Sequence, residues 1–255
     1  MTDLRVDFHG HAMVLIDLDG ARVVTDPAFR SRIGPLRRAV PALDVEDLGR
    51  IDAVLISHLH WDHLDLPSLA RLGRDVRVIV PAPAAGWLRA AGFPNAEEMA
   101  VGDSVAVGRL TVDAVSARHG GFRPPRGPRA DPLGFVMRGS RTVYFAGDTD
   151  LFDGMADLGP LDLALIPVWG WGPTLGRGLH LDPPRAAEAL LRLRPQVAVP
   201  IHWGTYWPQA MGRLRRSMLT APPRQFAALA ADIAPSVRVL TTDVGSTVDL
   251  PDWTS

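Results

Sequence analysis

The sequence predicts an α/β fold in which packed β-sheets carry helices on their outer faces. Runs with strand periodicity outnumber helical runs, and hairpins alternate with strand–helix units along the chain. A chain of 255 residues is long enough to bury a core without a disulfide or a structural metal. We therefore expect residues 1–255 to form a single domain.

The N-terminal part of the chain predicts a hairpin followed by strand–helix units. Alternating apolar positions predict strands between residues 5 and 25, with a hairpin turn at Asp19-Gly20. Residues 31–50 are rich in arginine and proline and predict a loop or a short helix. The other elements expected here are a strand at 51–57, a helix at 67–72, a strand at 75–80 and a helix at 82–91.

The C-terminal part continues with hairpins and then with further strand–helix units. Residues 120–132 contain too much glycine and proline for regular structure and predict a loop. Asp182 is expected to cap a helix whose first turn contains proline. The expected elements are strands within 104–116, 135–138, 142–146, 163–167, 197–201 and 237–241, and helices at 183–192 and 223–232.

The composition excludes several kinds of chemistry. The chain has no cysteine, which excludes disulfides, iron–sulfur clusters and thiol catalysis. All 27 basic residues are arginine, so Schiff-base lysine chemistry is excluded too. A net charge of −1 argues against a general nucleic-acid binder, and no nucleic-acid partner is expected. No long apolar run or signal-type N-terminus is visible, so we expect no transmembrane segment and a cytoplasmic location.

The most informative feature is the segment SHLHWDHLD at residues 57–65, which follows a buried strand. His58, His60, Asp62 and His63 lie within six residues. Imidazole and carboxylate groups suit zinc and similar divalent ions. In an extended segment His58 and His60 point to the same side, while the following turn directs Asp62 and His63 to a neighbouring point. One loop could therefore supply ligands to two ions.

Three later positions repeat the pattern of a ligand residue at a strand end. His119, Asp148 and His202 each follow a predicted strand. Loops at strand ends are where binding sites are usually built. Taken alone, each residue fits a structural role equally well, but in order with the histidine cluster they indicate an extended metal site.

The motif HLHWDH matches the HxHxDH signature of the metallo-β-lactamase superfamily. The order of this motif and of the three later positions resembles that of the dinuclear hydrolases of the superfamily. The resemblance extends from about residue 6 to about residue 245. Several segments are similar to N-acylphosphatidylethanolamine phospholipase D and to ascorbate-6-phosphate lactonase. They are FHGHAMVLID, VVTDPAF, IDAVLISHLHWDHLD, YFAGDT and GLHLDPPRAAEAL. The segment TDPAFRSRIGP resembles the phospholipase more closely.

The resemblance implies the four-layer αββα sandwich and a metal centre with two divalent ions. Zinc is the first choice, with manganese or iron as alternatives. One ion would be held by His58, His60 and His119, and the second by Asp62, His63 and His202. Asp148 would bridge the two.

Such a centre predicts hydrolysis by a hydroxide that bridges the two ions, with Asp62 and His180 as the catalytic side chains. Two adjacent cations lower the pKa of a shared water and stabilise the developing oxyanion. In the resembling family the histidine that matches His180 lies near the metals, and it is assigned to substrate binding or acid–base work. A structural histidine at the helix start is the alternative. His11 and Asp26 are expected to orient metal ligands.

The substrate is less well defined than the metal centre. Trp169 and Trp171 are expected to line an apolar part of the pocket, and Arg123 to bind an anionic group. The alternative for the two tryptophans is ordinary packing, and the alternative for Arg123 is a place on a solvated loop. A small phosphodiester is the first substrate class, and a sugar-phosphate lactone is the second. A nuclease and a non-catalytic metal-binding scaffold stay open, and a homo-oligomer is expected.

Overall fold

The computed structural model describes residues 4–170, 178–208 and 217–252. Its first seven-stranded sheet combines N-terminal strands with one strand from the C-terminal end. In spatial order the strands are β17 (Ser246–Thr247), β1 (Leu4–Gly10), β2 (Met13–Leu18), β3 (Ala21–Thr25), β6 (Ala53–Leu55), β7 (Val78–Pro81) and β8 (Ala96–Met99). Neighbours are antiparallel from β17 to β3 and parallel from β3 to β8. The parallel strands have their C-terminal ends at one edge of the sheet, where the loops of the site begin.

The second seven-stranded sheet repeats this division into a parallel and an antiparallel half. Its order is β16 (Arg238–Val239), β14 (Val197–Ile201), β13 (Leu163–Pro167), β12 (Thr142–Phe145), β11 (Leu133–Arg138), β10 (Leu110–Ser116) and β9 (Ser104–Val107). Neighbours are parallel from β16 to β12 and antiparallel from β12 to β9. A small third sheet has the order β15 (Tyr206–Pro208), β5 (Leu36–Arg38) and β4 (Arg32–Ile33).

Four α-helices complete the described fold. They are α1 (Leu66–Arg71), α2 (Ala85–Ala90), α3 (Pro183–Leu193) and α4 (Ser217–Ile233). Short 3-10 helices lie at Glu46–Leu48 and Asp153–Asp157. Within the described ranges, no helix has both the length and the apolar character needed to cross a bilayer.

The alternation of side chains in β6 shows how the layers are arranged. Ala53 and Leu55 belong to the core between the two large sheets, whereas Val54 belongs to a second core with residues of α1 and α2. Leu190 of α3 and Phe226 of α4 join the core that contains the second sheet. Successive strand residues point to opposite faces of a sheet, so both faces are covered. The four layers confirm the predicted αββα sandwich.

Three features of the fold differ from the sequence-based prediction. The last helix begins at Ser217, six residues earlier than predicted, and contains Pro222 and Pro223. Proline normally marks a helix start, but both prolines are buried here, and tertiary packing overrides the local preference. Strands β4, β5, β8, β15 and β17 were not predicted, because two to four residues carry too little periodicity. The strand expected at 237–241 is reduced to β16.

Candidate metal centre

The predicted metal ligands converge at one edge of the two large sheets, on loops that follow different strands. The loop after β6 contributes four of them, and the loops after β10, β12 and β14 contribute one each. The seven residues are His58, His60, Asp62, His63, His119, Asp148 and His202. Strands that run in the same direction end at the same edge of a sheet, which explains how residues so far apart in sequence meet.

Three imidazole nitrogens form the first donor group, in which each donor atom could give a lone pair to a metal ion. His60 Nδ1 lies 3.0 Å from His58 Nε2 and 3.1 Å from His119 Nε2. The three donor atoms all lie within 4.8 Å of one another. A tetrahedral zinc ion with bonds of about 2.0–2.1 Å has ligand atoms separated by about 3.3 Å. The spacing of this group therefore fits three ligands of one ion.

The second group of donor atoms also adjoins Asp148. Donor atoms of His11, Asp62, His63 and His202 lie within 4.8 Å of one another. The Oδ2 atom of Asp148 is 3.3 Å from His63 Nε2, and its Oδ1 atom is 3.2 Å from His202 Nε2. Asp148 Oδ2 also lies 3.9 Å from His119 Nε2 in the first group. This carboxylate therefore reaches both groups, as a bridging ligand must.

Hydrogen bonds on the outer side of the rings orient two of the imidazoles. His119 Nδ1 donates to the carbonyl oxygen of Leu179 at 2.8 Å. His202 Nδ1 donates to the carbonyl oxygen of Trp169 at the same distance. A carbonyl only accepts, so each Nδ1 carries the proton and each Nε2 turns its lone pair toward the centre. This is the tautomer that a metal ion requires.

Asp26 orients one histidine of each group through a single buried carboxylate. It accepts hydrogen bonds from His63 Nδ1 at 2.7 Å, from Ser57 N at 2.7 Å and from Ser57 Oγ at 2.6 Å. Because the Ser57 hydroxyl donates to Asp26, it accepts in turn from His58 Nδ1 at 3.0 Å. The geometry is that of the orienting role expected for Asp26.

His11 connects the second group to the end of β14. Its Nε2 atom lies 3.0 Å from Asp62 Oδ2, and its side chain is buried. Its main-chain N–H donates to Thr205 Oγ1 at 2.6 Å, while its carbonyl accepts from His202 N at 2.6 Å. The contact with Asp62 matches the expected orienting role of His11.

Unusual backbone conformations are concentrated among the residues of this centre. Five non-glycine residues in the described part have positive φ, and three of them belong to this centre. They are His11 at 55°, Asp26 at 35° and His202 at 59°. Side chains with a Cβ rarely adopt this region, and such strain concentrates at functional sites.

Burial keeps most of the imidazoles in the neutral form that binds metals. It lowers the pKa of His119 to about 4 and lowers the pKa of His58 and His202 well below the usual value. These three rings are therefore unprotonated near pH 7 and present lone pairs to a cation.

Asp148 and His63 carry the opposite charges of the centre. Burial alone would raise the pKa of Asp148, but the imidazoles of His202, His63 and His180 hold it well below its ordinary value. Burial alone would lower the pKa of His63, yet the carboxylates of Asp148, Asp62 and Asp26 raise it well above its ordinary value. A divalent ion would replace the proton that these carboxylates hold on His63.

Two buried polar atoms test whether metal ions fit this arrangement. Neither His63 Nε2 nor Asp148 Oδ1 has a hydrogen-bond partner among the described residues. A buried polar atom that stays unsatisfied costs about 1–3 kcal/mol. Each atom lies 3.2–3.3 Å from another potential ligand atom of the centre, and a cation bound there would satisfy it. The donor set therefore fits divalent metal ions.

His180 lies beside the bridging carboxylate. Its Nε2 atom is 3.1 Å from Asp148 Oδ2. Burial lowers the pKa of His180, but Asp148 raises it further, and the net shift is upward. A role of His180 in acid–base work or in substrate binding stays a prediction.

The contacts of the residues predicted to bind substrate do not by themselves indicate that role. Arg123 donates to the carbonyl oxygens of Leu59 at 2.7 Å and Leu64 at 2.9 Å, and its guanidinium lies over the ring of Trp87. These contacts hold the metal-binding loop, so substrate binding by Arg123 stays a prediction.

Trp169 is buried, and its ring stacks on that of Trp207. Its carbonyl oxygen orients His202, so the residue adjoins the centre through its backbone. Lining of a substrate pocket by Trp169 stays a prediction. Trp171, predicted to share that role, lies outside the described residues.

Three hydroxyl residues of the site were missed by the sequence analysis. Ser57 connects His58 to Asp26, and Thr205 holds the backbone of His11. Thr149 Oγ1 accepts from Arg118 N at 2.9 Å, and its carbonyl accepts from Leu181 N at 2.8 Å. Serine and threonine are common in loops, and only their position beside a predicted ligand could have indicated these roles.

The fold and the donor set define a class of protein, the αββα sandwiches that carry a cluster of histidine and carboxylate side chains at the edge of the sheets. The family model of the beta-lactamase superfamily domain matches residues 21–203. This match covers more than half of the chain, which therefore belongs to the metallo-β-lactamase superfamily.

Individual relatives agree with this assignment. The chain is 30% identical to a UPF0173 metal-dependent hydrolase of Pelotomaculum thermopropionicum, over 97% of this chain and 100% of the relative. It is 34% identical to N-acyl-phosphatidylethanolamine-hydrolyzing phospholipase D 1 of Caenorhabditis elegans, over 77% of this chain and 63% of the relative. The chain spans 59% to 63% of the length of the curated relatives that are 34% to 35% identical to it.

A solved structure supports the fold. Igni18, a metallo hydrolase from the hyperthermophilic archaeon Ignicoccus hospitalis, has a TM-score of 0.74 and 23% identity. The similarity covers 96% of this chain and 97% of that one. At this level of identity the likeness concerns the fold alone.

Proposed function

We propose that the protein hydrolyses a phosphodiester bond in a small molecule at a centre of two divalent metal ions. The observation that supports it is the pair of donor groups that share Asp148, with distances of 3.0–3.3 Å between neighbouring donor atoms. The name of the Caenorhabditis elegans relative supports the choice of a phosphodiester. Zinc is the first expectation for the metal, since histidine and carboxylate ligands suit it, and manganese or iron are the alternatives.

Each ion would have its own ligands. His58, His60 and His119 would hold the first ion, and Asp62, His63 and His202 the second. Asp148 would contact both. Two bound divalent ions lower the pKa of water toward neutrality and stabilise negative charge on a phosphoryl oxygen.

The side chains around the centre would orient and protonate the reactants. Asp62 belongs to the second group, and its carboxylate would also accept a hydrogen bond from the attacking water. His180, whose pKa is shifted upward by Asp148, would donate a proton to the leaving oxygen. Asp26 and His11 would keep His58, His63 and Asp62 in position.

The test is metal content per chain together with cleavage of bis-p-nitrophenyl phosphate before and after chelation. We expect about two ions per chain and cleavage that disappears with chelator and returns when metal is added. Two ions without cleavage would contradict the phosphodiester and shift the substrate to a lactone. Absence of metal after reconstitution would contradict the hydrolytic centre as a whole.

A further inference from the structure

The carboxylate of Asp65 lies at the end of the metal-binding loop, which comprises residues 57–65. Asp65 is buried and caps α1, because its Oδ2 atom accepts hydrogen bonds from Ser68 N at 3.0 Å and from Ser68 Oγ at 2.6 Å. The guanidinium of Arg30 donates to both carboxylate oxygens, from Nε to Oδ2 and from Nη2 to Oδ1, each at 2.7 Å. Two parallel hydrogen bonds of this kind fix the relative orientation of the two side chains.

Arg30 belongs to a short segment, residues 26–30, that contacts both ends of the metal-binding loop. Asp26 accepts hydrogen bonds from Ser57, the first residue of the loop. Arg30 forms its ion pair with Asp65, the last residue of the loop. The four proposed ligands that the loop carries therefore lie between two points that one segment holds.

We propose that Arg30 is a positioning residue of the metal centre and holds the C-terminal end of the metal-binding loop through Asp65. The inference rests on the proposed function and adds to it a side chain that binds no metal ion itself. Metal ligands must be held within about 0.5 Å of their productive positions. Asp62 and His63 are the ligands nearest to Asp65 in the chain, so a shift of that residue displaces them first. The ion that depends on Arg30 is therefore the second one, whose proposed ligands are Asp62, His63 and His202.

The backbone of Arg30 makes a separate connection to the loop that follows β14. Its carbonyl oxygen accepts a hydrogen bond from the hydroxyl of Tyr206 at 3.0 Å. Tyr206 is buried, and its ring meets that of His11 edge to face, with centroids 5.4 Å apart. Arg30 thus contacts the loop that carries His63 through its side chain and the loop that carries His202 through its backbone. Both histidines are proposed ligands of the second ion.

The chemistry of the pair explains why the loop depends on an arginine. A guanidinium presents its donors in a planar fork that matches the two oxygens of a carboxylate, whereas a lysine ammonium is a point charge. A buried carboxylate that loses its ion-pair partner is strongly destabilised. Without Arg30 we therefore expect the end of the loop to shift so that Asp65 reaches water.

The test is a calorimetric titration of zinc into the metal-free wild type and the metal-free Arg30→Ala variant. We expect two binding steps in the wild type. In the variant, the Kd of one step should rise about 10- to 100-fold, as for other groups that orient metal ligands, while the other step keeps its Kd. The affected step should be the one that His202→Ala abolishes. Wild-type Kd values for both steps in Arg30→Ala would overturn the proposal.

Chemical rescue separates positioning from a general loss of structure. The side chain of Arg30 is 39% exposed, so guanidinium ions from solution can enter the space left in Arg30→Ala and donate to Asp65. Millimolar guanidinium chloride, far below denaturing concentrations, should lower the raised Kd, whereas sodium chloride at the same ionic strength should not. No recovery with guanidinium, or equal recovery with both salts, would overturn the proposal. If Arg30→Ala does not fold, Arg30→Lys keeps the charge without the fork and should raise the Kd of the same step.

Arg77 provides the matched control, because it forms the same kind of fork at the other end of the parallel strands. Its Nε and Nη2 atoms donate to the two carboxylate oxygens of Glu97 at 3.0 Å and 2.9 Å. Arg77 directly precedes β7, whereas the site lies at the edge where the parallel strands end. Arg77→Ala should keep both zinc Kd values of the wild type. A rise equal to that in Arg30→Ala would show that the loss of any such pair weakens metal binding, and would overturn the proposal.

The outcomes separate this inference from the proposed function. If the wild type binds two zinc ions but cleaves no bis-p-nitrophenyl phosphate, the proposed function is wrong, and the Kd values still decide the role of Arg30. If the wild type binds two ions and cleaves the ester while Arg30→Ala has unchanged Kd values, the function stands and the positioning role is overturned. If the wild type binds no zinc, both are overturned.

Discussion

Asp26 is the residue on which the geometry of the centre depends most. It is buried, and its two oxygens accept three hydrogen bonds from Ser57 and His63. Through the Ser57 hydroxyl it also fixes His58, so one carboxylate orients ligands of both donor groups. Sequence analysis could propose Asp26 as an orienting residue, because metal-bound imidazoles usually donate their other N–H to a carboxylate. It could not identify Ser57, because the link between the two is made only in three dimensions.

Asp26→Asn should lower the affinity for zinc by about 10- to 100-fold. Asparagine keeps the shape but replaces one acceptor oxygen with an NH₂ group, so at least one hydrogen bond to Ser57 or His63 is lost. The measurement is the zinc Kd from competition with a chromophoric chelator. Asp113→Asn, which alters a carboxylate on β10, is the control and should leave Kd unchanged. Equal Kd values for Asp26→Asn and the wild type would show that Asp26 does not orient the ligands.

His180→Ala should retain the metal content and lower kcat at least tenfold. The variant removes the proton that we assign to the leaving oxygen, but it removes none of the seven proposed ligands. Steady-state cleavage of bis-p-nitrophenyl phosphate and metal analysis provide the two readouts. His9→Ala is the matched control, since neither ring nitrogen of His9 has a hydrogen-bond partner in the described part of the chain. Unchanged kcat in His180→Ala would remove this residue from the mechanism.

At the scale of elements, the long strands were predictable and the short ones were not. Apolar runs such as residues 163–167 and 197–201 are strands β13 and β14, with the bounds predicted. Strands β4 and β5 lie in a segment expected to be a loop or short helix, and β5 pairs with β15 far along the chain. No local pattern encodes such a pairing, because tertiary contacts determine it. The third sheet is therefore the part of the fold that sequence could not reveal.

Thr149 connects three of the loops at the centre, and its hydroxyl has a measurable role. Thr149→Val keeps the shape but leaves the main-chain N–H of Arg118 without its acceptor. We expect the free energy of unfolding to fall by about 1–3 kcal/mol.

Urea denaturation measures this change. Thr111→Val, at an exposed position of β10, is the control and should change stability by less than about 0.5 kcal/mol. A loss no larger than that of the control would show that the loops do not depend on this hydroxyl.

At the scale of the whole molecule, the two sheets bring together ligands that are up to 144 positions apart, from His58 to His202. Each sheet has a parallel half whose strands end at the shared edge. The class of fold and the clustering of the proposed metal ligands could be predicted because the HxHxDH motif and the strand-end residues are local signals. The third sheet could not, since its strands come from distant segments that meet only in the folded chain.

The most direct test of the proposed two-ion centre is anomalous X-ray diffraction from crystals of the metal-loaded protein, recorded at the absorption edge of the bound metal. We expect two peaks at the edge of the sheets. One should lie among His58, His60 and His119, and the other among Asp62, His63 and His202, with Asp148 between them. A single peak, or peaks away from these side chains, would contradict the centre of two metal ions.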